Sequence, residues 1–178
     1  MADFVHLTNK TEYSLSEGAL PIARIAELCQ SFSMPAVGIS DNNNMFGALE
    51  FSEQIAKVGV QPILGCNIKI KTPKEYLHEK IEDNDLYFYL NIFSKNNEGY
   101  ENLLKCVSNA YTLNKGNAYV TVEDLIKFKD GLIILSGGNN SILTHSTGHM
   151  ITKQSKQFVS DFKSEFNDNF YIEIQRLG

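Results

Sequence analysis

Glu17 and Asp41 are two carboxylates of this 178-residue chain that stand in polar surroundings at strand ends, where acid–base or metal chemistry could begin. Asp41 closes a short apolar run and opens into three asparagines, AVGISDNNNMFG over 36–47. In α/β proteins the loops after parallel strands carry the ligand-binding groups, so the strand end at Asp41 is a candidate site. A hydrolytic zinc or manganese centre there needs several imidazole or anionic donors. The four histidines supply few: only His6 falls at a strand end, and an alternating strand over 4–7 would turn it into the core, the reading preferred to metal ligation. His78 lies in a charged stretch and reads as solvated, while His145 and His149 flank Gly148 among Ser, Thr and Asn and read as loop residues. Two carboxylates without imidazoles make a weak metal site, and as an acid–base pair they lack a third partner.

Composition narrows the function classes. With 43% hydrophobic and 21% charged residues, the chain is an ordinary globular one, long enough for one good core. A formal charge of −5 and no run of Lys or Arg argue against a grip on nucleic acid through its own surface, which requires clustered cations. Cys29, Cys66 and Cys106 are widely spaced and form no Cys-x-x-Cys pair, so buried reduced thiols are expected and a cysteine zinc cluster is excluded. Neither a long apolar span nor a basic-then-apolar leader is present, which points to a cytoplasmic protein with no membrane partner.

The elements that would position the candidate residues alternate. A strand over 4–7 is followed by a polar stretch, 8–18, and by a helix entered at Pro21, with Ile22, Ile25, Ala26, Cys29 and Phe32 at helical spacing. A strand over 36–40, a helix over 46–58 ended by Gly59, and a bent strand over 60–70 come next. Residues 72–85 read as a surface excursion. A strand over 87–93 leads to a helix striped by Tyr100, Leu103, Leu104, Val107, Ala110 and Tyr111. Thr121 and Asp124 fit a capping box, 132–135 a buried strand, Phe158, Phe162 and Phe166 a further helix, and 170–174 a last strand. Repeated βα units predict an α/β fold with a mainly parallel sheet, open or closed into a barrel. A complete (β/α) barrel takes about 250 residues, so an incomplete barrel continuing beyond Gly178 is expected. The polar residues gather at strand ends: 6–17, 41–44, Asn67 and 136–140.

Six blocks carry a resemblance: FVHLTNKTEYSLSEGAL, MPAVGISDNNNMFGALEF, GVQPILGCNIKI, SKNNEGYENLLKCVS, DGLIILSG and DNFYIEIQR. In this order they resemble the N-terminal PHP (polymerase and histidinol phosphatase) domain of bacterial replicative DNA polymerase III alpha subunits. The resemblance implies a distorted (β/α)7, TIM-like barrel, incomplete over 1–178, as the first domain of a longer polymerase.

The departures from the family pattern are informative. Members with a metal centre carry His-x-His where this chain has Thr8 and Lys10, and an acid where it has Glu17. They carry Asp-His at Asp41 and Asn42, a glutamate at Asn67, a histidine at Tyr89 and a cysteine at Gly138. Of these vestigial positions only Glu17 and Asp41 keep ligand chemistry. An ammonium at Lys10 would repel a metal cation, and is expected to pair with Asp41 or Glu17 instead.

The resemblance implies a non-catalytic scaffold with no catalytic residue, metal or other cofactor of its own. Its implied partners are the rest of the polymerase chain and the proofreading exonuclease subunit, with DNA held by other domains. The parent would be a DNA-directed nucleotidyltransferase using magnesium in its palm domain. The asparagine loop then reads as a capped turn. Two alternatives stand beside this: a metal-dependent phosphoesterase using Glu17, Asp41 and ligands beyond Gly178, and a pocket in which the asparagine loop and Gly137-Gly138-Asn139-Asn140 bind phosphate.

Overall fold

The computed structural model describes residues 4–77, 86–114, 117–138, 141–145 and 152–175. His78, Asn139, Asn140, His149 and the side chain of His145 lie outside the described residues. The chain divides into two compact units, Met1–Asn67 and Ile68–Gly178.

In the first unit, helix α1 (Ile22–Ser31) starts at Pro21, whose missing N–H is no loss at a helix entrance. Strand β1 (Ala36–Asn42) is buried from Val37 to Asp41, the pattern of a strand covered on both faces. Helix α2 (Ala48–Lys57) ends at Gly59, whose φ of +76° is the left-handed turn that favours glycine. Strand β2 (Gln61–Lys71) begins in this unit and runs parallel to β1 from Ala36↔Gln61 to Asn42↔Asn67. Ile22, Ile25 and Cys29 of α1 pack with Phe51 and Ile55 of α2 against Val37 and Ile39. Ile22, Phe51 and Ile55 are wholly buried, each worth about 1.5–3 kcal/mol of transfer free energy.

Two expectations change here. Residues 4–7 form no strand; they lie along β1, and His6 O and Asn9 O accept from Gly38 N (2.7 Å) and Ser40 N (2.8 Å). His6 is exposed, edge-on to Phe4, and not in the core, because without sheet pairing nothing turns its side chain inward. Strand β1 also runs two residues further than expected, which puts Asp41 and Asn42 on the strand itself.

The second unit holds β3 (Tyr87–Ser94), α3 (Asn97–Leu113), α4 (Val122–Lys127), β4 (Leu132–Leu135), α5 (Ile142–His145), α6 (Lys153–Phe166) and β5 (Phe170–Tyr171). β4 pairs antiparallel with β3 and parallel with β5, so the sheet is mixed here. Its core is aromatic: Phe158, Phe162 and Phe166 stack along α6 at centroid distances of 4.2 and 5.4 Å, and Phe88, Phe170 and Tyr76 close on them. Of the capping box expected on α4 the first half is present, with Thr121 Oγ1 accepting from Asp124 N at 3.1 Å, while the Asp124 carboxylate accepts from the Thr121 hydroxyl at 2.9 Å. Leu104 and Tyr111 of the predicted α3 stripe are exposed, and Cys106 lies buried on that helix instead. β5 is shorter than expected, ending at Tyr171.

Candidate functional site

Asp41 and Asn42 are consecutive on β1, so their side chains leave the strand on opposite sides. Asp41 is 1% exposed and its carboxylate accepts three hydrogen bonds. Thr11 N (2.7 Å) and Ser14 Oγ (2.5 Å) donate to Oδ1, and Thr11 Oγ1 (2.7 Å) donates to Oδ2. Ser14 Oγ also accepts from Asn42 N at 3.1 Å, and the Cys66 thiol donates to the Asp41 carbonyl at 3.3 Å. A buried anion needs such partners, and hydrogen bonds to a charged group contribute about 1.5–3 kcal/mol each.

On the other side, Lys10 Nζ lies 3.0 Å from Glu17 Oε2 and donates to Asn42 Oδ1. A hydrogen bond from Asn42, then that from Lys10, holds the Glu17 carboxyl below its ordinary pKa. Lys10, Glu17 and Asn42 therefore form a closed trio. It is partly open to water, with the Lys10 side chain 30% and that of Glu17 57% exposed.

Backbone geometry sets up both clusters. The segment over 6–10 can lie flat on β1 because Gly38 has no side chain; a Cβ there would stand 2.5 Å from Leu7 O. The loop then folds back through Ser14 N to Thr11 O (2.9 Å), Glu17 N to Ser14 O (3.0 Å) and Gly18 N to Ser14 O (2.8 Å). Gly18 presses on the Thr11 carbonyl, where a Cβ would lie 1.7 Å from the oxygen. This turn returns Glu17 to Lys10.

The asparagine loop is a network of turns. Asn43 has φ +50°, a left-handed conformation that Asn tolerates, and its N–H donates to Asn67 O at 2.8 Å. Asn44 donates to Tyr13 O (3.1 Å) and Asn42 O (2.9 Å) and accepts from Phe46 N (3.2 Å).

Of the positions expected from the resemblance, Lys10, Glu17 and Asn42 come together. Asp41 turns away to Thr11 and Ser14, Thr8 is exposed, and Asn67 is half-buried opposite Asn42 in the β1–β2 register. The expected pairing of Lys10 thus goes to Glu17, not Asp41. Tyr89 and Gly138 belong to the second unit. Tyr89 is half-buried on β3, and its carbonyl lies where a Cβ on Gly137 would be 2.2 Å away; Gly138 faces Gln175. Among the described residues, no three His, Cys, Asp or Glu side chains gather closely enough to hold a metal ion. Cys29, Cys66 and Cys106 are buried free thiols, and burial pushes Cys106 up to about 12. No helix among the described residues is long and apolar enough to cross a membrane.

Thr11 and Ser14 are the residues that sequence reasoning missed. Their signal was faint: two hydroxyls three apart in a polar stretch, next to the strand that ends in Asp41.

The PHP domain family profile matches residues 6–177. The chain is 34% identical over 176 residues to the DNA polymerase III subunit alpha of Rickettsia felis, and 30% over 180 residues to that of Haemophilus influenzae. In both cases 98% of this chain is covered, but only 14% of the relative, so the chain spans a small part of the curated relatives it matches. Its fold is shared with a proposed metal-dependent phosphoesterase from Bifidobacterium adolescentis (TM-score 0.58, 11% identity, 90% of this chain and 75% of that one). A Chromobacterium violaceum amidohydrolase, solved with sulfate and no metal, is similar at TM-score 0.57 and 10% identity, over 93% of this chain and 75% of that one. With the family profile matched over residues 6–177, nearly the whole chain, the chain belongs to the PHP domain family.

Proposed function

We propose that this PHP domain serves as a non-catalytic scaffold within a DNA polymerase III alpha chain, supporting the polymerase core and docking the proofreading exonuclease subunit. The observation that carries this reading is the Lys10–Glu17–Asn42 trio. A divalent cation needs oxygen, imidazole or thiolate donors with free lone pairs. At the family's ligand positions this chain offers an ammonium at Lys10, a carboxylate bound to that ammonium, and an amide. Asp41 already accepts from three donors. The donor set does not fit a metal.

On this reading the parent chain carries out template-directed DNA synthesis in the cytoplasm with magnesium in its palm domain, and other domains hold the DNA. The relatives named DNA polymerase III subunit alpha support that assignment.

The test is elemental analysis of protein purified from zinc- and manganese-supplemented medium, paired with a phosphodiester hydrolysis assay. Less than stoichiometric metal and no hydrolysis above background are expected. Stoichiometric metal with turnover overturns the reading and favours a metal-dependent phosphoesterase, the second reading, which the similarity to the B. adolescentis protein supports. Docking has its own test: the full polymerase chain should retain the cognate exonuclease in a pull-down, and a folded chain that fails to do so excludes that role.

A further inference from the structure

We propose that Glu17 and Asn42 form a cation site that the chain fills with its own Lys10 ammonium, so that a chain lacking Lys10 takes up a small primary ammonium ion from solution. The inference rests on the degenerate-site reading above and goes further, by assigning a ligand class to what is left.

The geometry has three parts. First, the Lys10 nitrogen is 3.0 Å from a carboxylate oxygen and donates to an amide oxygen, an anionic donor and a neutral one on the same cation. An ammonium has three N–H donors, and this arrangement engages two of them. Second, the backbones that carry the two acceptors are held without Lys10, and the Asn42 side chain donates to the Glu17 carboxylate. Asn42 is fixed on β1 by sheet pairing and by its N–H to Ser14 Oγ, and Glu17 by its N–H to Ser14 O (3.0 Å) and by the Gly18 packing on Thr11. Ser14 in turn is tied to Asp41 at 2.5 Å. The neutral-donor cluster on Asp41 is thus the frame for the charged trio. Third, the Lys10 side chain is 30% exposed, so an ion from solvent can reach the place its nitrogen occupies.

Truncating Lys10 to Ala removes Cγ, Cδ, Cε and Nζ, the atoms of propylammonium. That ion restores both the charge and the N–H donors. Tetramethylammonium has the charge but no N–H, and propanol has the stem but no charge, so the two separate binding from ionic strength and from apolar filling.

The experiment is thermal unfolding of the full chain as wild type and Lys10→Ala, with each of the three solutes at equal concentration. The variant is expected to melt below wild type by no more than about 2–4 °C. Propylammonium chloride should recover most of that loss by binding the folded state, without moving wild type. A variant that melts with wild type, or one that tetramethylammonium chloride restores as well as propylammonium does, overturns the proposal. Should Lys10→Ala fail to fold, the doubly neutral Lys10→Ala/Glu17→Gln chain decides: the proposal requires it to fold and to ignore propylammonium, and a double variant no more stable than the single one refutes it. Metal content of the wild type tests the scaffold reading and the amine response tests the site, so either can fail without the other.

Discussion

At the end of β1 the carboxylate of Asp41 is sealed from water and held by two hydroxyls and one backbone N–H. One residue later, Asn42 meets a half-exposed pair of full charges, Lys10 and Glu17. Both clusters hold the 8–18 loop to the same strand, by different physics. A buried anion with neutral donors draws on a low dielectric and is insensitive to salt. An exposed ion pair is screened, and its contribution is small even at a good distance. The buried acid is therefore the stronger structural anchor, and the part-exposed trio of Lys10, Glu17 and Asn42 is the weaker, adjustable one.

This contrast can be broken at four points. Asp41→Ala should cost most, about 3 kcal/mol or more, because three buried donors lose their acceptor at once. Urea unfolding measures it, and a loss below 1 kcal/mol, on the order of one surface contact, removes Asp41 from its anchoring role. Ser14→Ala comes next at about 1–2 kcal/mol, since it deprives Asp41 of one donor and Asn42 N of its acceptor. Glu17→Gln should cost less than about 1 kcal/mol, and the difference from wild type should vanish near 1 M salt while that of Ser14→Ala persists. The pH response is the smallest effect. The folded Glu17 titrates below its unfolded counterpart, so its contribution is complete above about pH 5, past the unfolded value, and is lost as pH falls through the depressed folded value. Melting curves of wild type and Glu17→Gln should converge on acidification; a gap that widens toward low pH contradicts the sign. Because Glu17 is more than half exposed, solvent screening keeps this change small.

Much of the fold was legible because its elements obey simple periodicities. The α6 phenylalanines at intervals of four, the β4 run over 132–135 and the Thr121 cap all stand where their pattern put them. The first segment was not legible. Phe4, Val5, His6 and Leu7 alternate as a strand does, but the segment meets β1 through the His6 and Asn9 carbonyls and the Asn9 side-chain amide, and leaves His6 in solvent. Alternation reports which residues suit a sheet, not whether a ladder forms. At the site, the opposite charges on Lys10 and Glu17 made their pairing foreseeable. The capture of Asp41 by Thr11 and Ser14 was not, because it depends on a turn that Gly18 permits by close approach, and hydroxyls in a polar stretch look like any solvated loop.

The flat seat of residues 6–10 over Gly38 makes two amide protons into reporters. Gly38 N and Ser40 N donate to that segment, so their hydrogen exchange is gated by its lifting. Lys10 lies one residue beyond Asn9, the acceptor for Ser40, so a lifting of this segment that exposes the Ser40 proton also carries the base of the Lys10 side chain away from the strand. The exchange rate at Ser40 therefore counts how often the segment lifts from the strand, while the amide of Thr11, held on Asp41, is a neighbouring clock for the tighter cluster.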